Sequence, residues 1–166
     1  MIYYGKQNIN QDEIDSIVEV LKSDFLTQGP KVPEFEEDIK NYCQAEYSKV
    51  VSNATAALHL AYLAVGLKKG DIVWTSPNTF VSTANAALYC GATVDFVDID
   101  PYTYNISVDC LKEKLVQAKK DNKLPKIVVP VHFAGQSCDM EAIWELSKEY
   151  KFKVVEDASH ALGGKY

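Results

Sequence analysis

A chain of 166 residues with 17 basic and 23 acidic side chains carries a formal charge of −6, and it is 47% hydrophobic, 24% charged and 11% aromatic. Those fractions describe a globular protein and exclude a disordered or collagenous one. The acidic balance argues against nucleic acid as a partner, since phosphate contacts need clustered Lys and Arg. No apolar run is long enough to span a membrane, and the opening residues lack the basic and then apolar regions of a secretory signal, so no membrane association is expected. The four cysteines, at 43, 90, 110 and 138, form no Cys-x-x-Cys pair, which argues against a disulfide scaffold or a metal site. Cys43 and Cys90 read as buried thiols.

Asn10 caps a first helix, and Glu13 completes a capping-box pattern. Ile14, Ile17, Val18 and Leu21 then recur on one helical face. A loop through Leu26-Thr27-Gln28-Gly29-Pro30 leads to a second helix, with Pro33 in its first turn and Phe35, Ile39 and Tyr42 as its stripe. Residues 49–51 read as a short strand. Asn53-Ala54-Thr55 opens a helix that Gly66 ends. A strand over 71–75, a loop through Ser76-Pro77-Asn78-Thr79 and a helix over 80–89 follow, stopped by Gly91. The next strand covers 92–99, with Asp98 and Asp100 at its end. Ser107 caps a helix through Lys120. Residues 127–131 form a continuous apolar run, a strand buried on both faces, in which Pro130 ends the ladder. A helix over 139–150 and a strand over 152–155 complete the series.

This alternation argues an α/β fold: a mostly parallel sheet with helices on both faces. Ligands of such sheets bind beyond the carboxyl ends of the strands. Three loops there carry chemistry. In Ser52-Asn53-Ala54-Thr55-Ala56 the amides of a helix start converge on one spot, and Thr55 adds a hydroxyl, which suits a phosphate; the plainer reading is an ordinary cap by Asn53 or Thr55. Phe80 either stacks on a flat ring or packs in the core. Asp157, directly after a buried strand, needs a partner; a protonated ring nitrogen would serve, and a helix cap or a metal are the alternatives. His132 either lines the pocket or is a hydrogen-bonded structural histidine, and His59 reads as structural. A phosphate cradle, a stacking aromatic and a carboxylate for a ring nitrogen are together what pyridoxal phosphate requires.

At these residues the sequence resembles the sugar-nucleotide aminotransferases of the DegT/DnrJ/StrS type. The matching stretches are Leu26-Thr27-Gln28-Gly29-Pro30, Phe35-Glu36, and residues 52–58, 75–83, 94–98 and 155–163. Within that family the likeness is strongest to transaminases that make UDP-linked 4-amino-4,6-dideoxy sugars, as in pseudaminic acid biosynthesis. The resemblance implies the large domain of fold-type I pyridoxal phosphate enzymes, truncated: residues 1–166 as a partial cofactor-binding domain with a helical segment over 1–45, the small C-terminal domain being absent. It implies that Thr55 and Ala56 bind the cofactor phosphate, Phe80 stacks on its ring, Asp157 pairs with the ring nitrogen and His160 lies at its polar edge, with Asp157 and His160 as the catalytic pair. Tyr4, Asp24, Phe25, Leu26, Thr27 and Ala54 would approach a UDP-sugar, glutamate would donate the amino group, and the enzyme would be a cytoplasmic homodimer.

The family's Schiff-base lysine lies in a downstream Ser-Phe-x-x-x-Lys segment that Lys165 does not match. The expectation is therefore the front part of a longer enzyme, inactive alone. The alternatives are a dehydratase of the same family, with histidine for that lysine, and a non-catalytic binding module. A nicotinamide oxidoreductase would need a glycine-rich first turn that is absent.

Overall fold

The computed structural model describes residues 6–165. The chain divides into two compact units, Met1–Val50 and Val51–Tyr166.

In the first unit, α1 (Gln11–Lys22) starts at a full capping box. Asn10 Oδ1 accepts from the Asp12 and Glu13 amides at 2.8 and 3.4 Å, and Glu13 Oε2 accepts from the Asn10 amide at 2.5 Å. Helix α2 (Lys31–Cys43) follows Pro30, and Ile17, Val20, Leu21 and Phe35 line one groove with polar neighbours. Neither helix contains a buried residue. Cys43 is exposed and Cys90 only half-buried, against the expectation of two buried thiols. Tyr42 and Cys43 follow a helical stripe, but a stripe sets the face a residue occupies and not whether anything covers it. The strand expected over 49–51 is absent, because the Val50 amide donates to Glu36 Oε1 at 3.1 Å instead of to a neighbouring strand.

Among its described residues the second unit holds four parallel strands: β1 (Ile72–Thr75), β2 (Thr93–Phe96), β3 (Ile127–Val129) and β4 (Lys153–Val154), in the order β2-β1-β3-β4. Four helices cover it: α3 (Ala54–Ala64), α4 (Ser82–Tyr89), α5 (Val108–Lys120) and α6 (Met140–Tyr150). Alternation along the strands divides the core in two. Val73, Ile127 and Val129 meet Leu58 and Tyr62 of α3 and Ala86 and Ala87 of α4. Trp74 and Val128 point the other way, onto Leu111 and Leu115 of α5 and Met140 and Ile143 of α6. A strand buried on both faces reads as a continuous apolar run, and Ile127–Val129 is one, fully buried throughout.

Local signals set the helix ends. Ser107 and Asp139 cap α5 and α6 through the Cys110 and Ala142 amides. Gly66, at φ +77°, closes α3 with its amide on Leu63 O while the Leu67 amide reaches Tyr62 O, a Schellman turn. Helix α4 starts at Ser82, two residues later than expected, because the Thr83 amide bonds back to Phe80 O and leaves Phe80 in the loop. The strand expected over 92–99 stops at Phe96. Ile99 leaves the sheet to bridge Ile106, and Asp100 Oδ1 accepts from the Tyr102 and Thr103 amides, which turns the chain.

The sheet order reverses between β1 and β3. The chain leaves β1 toward α4 on one face and β3 toward α6 on the other, so a crevice opens at their carboxyl ends.

Candidate functional site

A cavity of about 350 Å³ occupies that crevice. Each wall comes from a different turn: Asn53, Ala54 and Thr55 from the start of α3; Thr79, Phe80 and Ser82 from the β1–α4 connection; Val131, His132 and Phe133 from beyond β3; Asp157, Ser159 and His160 from beyond β4. Thr55, Phe80 and Asp157, far apart in sequence, thus share one cavity, together with His160 from the same turn as Asp157.

At the α3 end, Asn53 is the cap: its Oδ1 accepts from the Ala56 amide at 2.9 Å. Ala56 therefore has its amide engaged and is not among the lining residues. The Ala54 and Thr55 amides precede the first intrahelical bond, which runs from the Ala57 amide to Asn53 O. They remain donors at the positive end of the helix dipole. The cap does not use up these donors, because a helix start has more orphan amides than one side chain can take.

Phe80 is 73% exposed, which excludes the core reading. Its ring sits on the loop before α4, at the cavity wall.

Asp157 is 6% exposed and tightly held. Its main chain extends the ladder: the amide donates to Pro130 O at 2.9 Å, and the carbonyl accepts from the His132 amide at 3.1 Å. Oδ1 accepts from Ser159 Oγ at 2.6 Å and the Ser159 amide at 3.3 Å, and Oδ2 accepts from Thr83 Oγ1 at 2.6 Å. A buried carboxylate needs such donors, and its four lone-pair positions leave room for a ligand. Nearby, the Tyr62 phenol donates to Thr83 O at 2.9 Å. Burial, reinforced by the Asp157 charge, pushes that phenol well above its ordinary value.

His132 both lines the cavity and is built into the fold. Its Nδ1 accepts from the Cys138 amide at 3.0 Å, so its proton sits on Nε2, which lies 2.9 Å from Glu156 Oε2. Buried Asn105 ties down the same loop: Nδ2 donates to Gln136 O and Ser137 O, and Oδ1 accepts from the Phe133 amide. Gly135, at φ +89°, permits the loop to pass His160, whose carbonyl would lie 2.9 Å from an added Cβ. Cys138 beneath it is buried, and burial pushes its thiol up to about 11.

His160 itself is exposed at the cavity wall. Asp24, Phe25, Leu26 and Thr27 belong to the first unit, on the exposed connection between α1 and α2. Tyr4 lies outside the described residues. His59 meets Tyr89 edge-on at 5.6 Å, a structural contact. Sequence reasoning gave no role to Thr79, Thr83 and Ser159, although they lie in the matching stretches, and did not single out Asn105. Thr79 and Thr83 are spaced i, i+4 across a helix start, and Ser159 sits two residues beyond a strand-end Asp, where its amide can turn back; both were readable patterns. Asn105 carried none.

The sequence profile of the DegT/DnrJ/EryC1/StrS aminotransferase family matches residues 7–166, and the chain belongs to that family. Over 166 residues it is 45% identical to a UDP-4-amino-4,6-dideoxy-N-acetyl-beta-L-altrosamine transaminase of Campylobacter jejuni, covering 100% of this chain and 43% of that protein. Among solved structures, Helicobacter pylori PseC, an aminotransferase involved in the biosynthesis of pseudoaminic acid, superposes with a TM-score of 0.90 at 32% identity, covering 99% of this chain and 43% of its own. A putative sugar aminotransferase, Spr1654 of Streptococcus pneumoniae in its PLP form, gives 0.85 at 27% identity, over 98% of this chain and 44% of its own. The chain spans less than half the length of these relatives. Among the described residues no helix is long and apolar enough to cross a membrane.

Proposed function

We propose that residues 51–166 form the cofactor-holding part of a pyridoxal-phosphate-dependent aminotransferase that acts on a nucleotide-linked 4-keto-6-deoxy sugar, with glutamate as amino donor. The observation that carries this reading is one cavity lined at once by a helix start, an exposed aromatic ring and a buried carboxylate. The donor set fits the group. Orphan amides at Ala54 and Thr55 and the Thr55 hydroxyl suit its phosphate, with Ala56 already shared with the Asn53 cap. The Phe80 ring suits its aromatic face, and Asp157 its ring nitrogen. A volume of about 350 Å³ falls within the range of about 300–1,000 Å³ typical of cofactor sites.

Bound there, pyridoxal phosphate supplies an electron sink for charge developing at the substrate carbon. Asp157 would pair with the protonated ring nitrogen, its carboxylate held by the Thr83 and Ser159 donors. Phe80 would offer its ring to the cofactor's aromatic face, and His160 would stand near its polar groups. The family resemblance assigns Ala54 to the UDP-sugar, and Tyr4, Asp24, Phe25, Leu26 and Thr27 are its further candidates by the same resemblance. We assign the Schiff-base lysine and the small domain to the part of the relatives' length that this chain does not span; that lysine anchors the cofactor and moves the proton at the substrate carbon. The whole enzyme is read as a cytoplasmic homodimer. Aminotransfer is favoured over dehydration because the curated relative and the solved structures cited above are named as transaminases or aminotransferases.

The test is Asp157→Ala in the full-length protein. Cofactor affinity falls by at least about tenfold, the scale of a lost charge-assisted hydrogen bond, and glutamate-dependent formation of the amino sugar is lost. Undiminished cofactor absorbance and activity in this variant would remove Asp157 from the site and the reading with it.

A further inference from the structure

Thr83 is fully buried, does not line the cavity, and yet donates to Asp157 Oδ2 at 2.6 Å. A hydroxyl has one hydrogen. With that hydrogen on Asp157, the 2.8 Å contact between Thr83 Oγ1 and Thr79 Oγ1 requires Thr79 as its donor. The alternative acceptor for Thr79, Phe80 O, is more distant at 3.3 Å. A directed chain results: Thr79, at the cavity wall, donates to Thr83, which donates to Asp157. Tyr62 of α3 fixes the middle of this chain by donating to Thr83 O. The other carboxylate oxygen is held by Ser159, so the orientation of Asp157 is clamped from α4 on one side and from its own turn on the other.

We propose that Thr83 is a positioning residue for the ring-nitrogen end of the cofactor, acting through Asp157, with Thr79 acting through Thr83. This rests on the cofactor reading above. Consecutive hydroxyl donors polarise one another, and a donor to a buried carboxylate keeps its charge in a fixed place. A ligand that presents a protonated nitrogen to Asp157 benefits from that arrangement. A ligand of the same shape without the nitrogen does not.

The experiment uses the full-length protein and two probes: pyridoxamine phosphate, and its carbocyclic analogue in which a C–H replaces the ring nitrogen. Thr83→Val removes the donor at nearly constant volume. Affinity for pyridoxamine phosphate falls about tenfold or more, on the scale of a hydrogen bond to a charged group, while affinity for the analogue is unchanged. Thr83→Ser restores the affinity for pyridoxamine phosphate. Equal losses for both probes would reduce Thr83 to packing and overturn the proposal, as would no loss for either or a failed rescue by serine. Should Thr83→Val not fold by circular dichroism, Thr79→Val is tested in its place. It gives a smaller loss with the same selectivity for the nitrogen, and a loss without selectivity overturns the chain of donors. If the unaltered protein holds neither probe, the cofactor reading itself fails, a result distinct from a variant that treats the two probes alike.

Discussion

The two units of this chain start from the same kind of sequence pattern and end in different states. Helices α1 and α2 carry regular apolar stripes, as do α5 and α6. Yet no residue of the first pair is buried, whereas Leu111, Leu115, Met140 and Ile143 of the second pair are almost fully enclosed. The difference lies in the sheet. A parallel strand buried on both faces offers apolar surface on two sides, so every helix that connects such strands gains something to cover. Amphipathicity makes a helix with a preferred side; a core requires a second surface shaped to receive it.

The sharpest way to break that contrast is truncation. Leu115→Ala, at a fully buried site, is expected to cost about 2–5 kcal/mol in chemical denaturation. Leu21→Ala, at a position 64% exposed, changes stability by less than about 0.5 kcal/mol. Similar costs at both sites would erase the distinction between the units.

Within the second unit, Asn105 sharpens the comparison by separating packing from polar satisfaction. Asn105→Ala leaves the Phe133 amide and the Gln136 and Ser137 carbonyls without their partner. A cost of about 1–3 kcal/mol is expected, with faster amide hydrogen exchange at residues 133–137. Unchanged exchange there would show that the loop holds itself.

The smallest effect is electrostatic. The Lys126 ammonium, 2.8 Å from Asp71, is the main cause holding that carboxyl below its ordinary value. A lowered value in the folded state means stabilisation that is present above the unfolded carboxylate range and lost as pH falls through it. Asp71→Asn should therefore cost less than about 1 kcal/mol at neutral pH, as for a partly exposed ion pair, and the gap to the parent should close as the pH falls below about 4. A gap that widened in acid would refute the assignment.

Much of the fold was legible because its signals are local. Asn10 with Glu13, Ser107, Asp139 and Gly66 mark helix ends through bonds to amides or carbonyls only a few residues away. The site was legible in part. Phe80, Asp157 and His160 follow strands, and the rule that ligands bind at strand carboxyl ends selected their loops; Thr55 was selected behind a strand over 49–51 that does not form. Cys43 and residues 49–51 misled because burial and pairing depend on partners that composition does not name. Asn105 was invisible for the same reason, and the Thr79–Thr83 spacing did not name Asp157 as its partner: the polar atoms of Thr83 and Asn105 act on residues 74 and about 30 positions away.

The sequence alone determined the helices, most of the strands and their order, since capping, periodicity and chain reversal depend on neighbours within a turn or two. Only the tertiary structure decided that the helix start at Thr55, the ring of Phe80 and the carboxylate of Asp157 open into one cavity, and which donors hold that carboxylate. Strand order and register bring those groups together, and both arise from contacts between segments far apart along the chain.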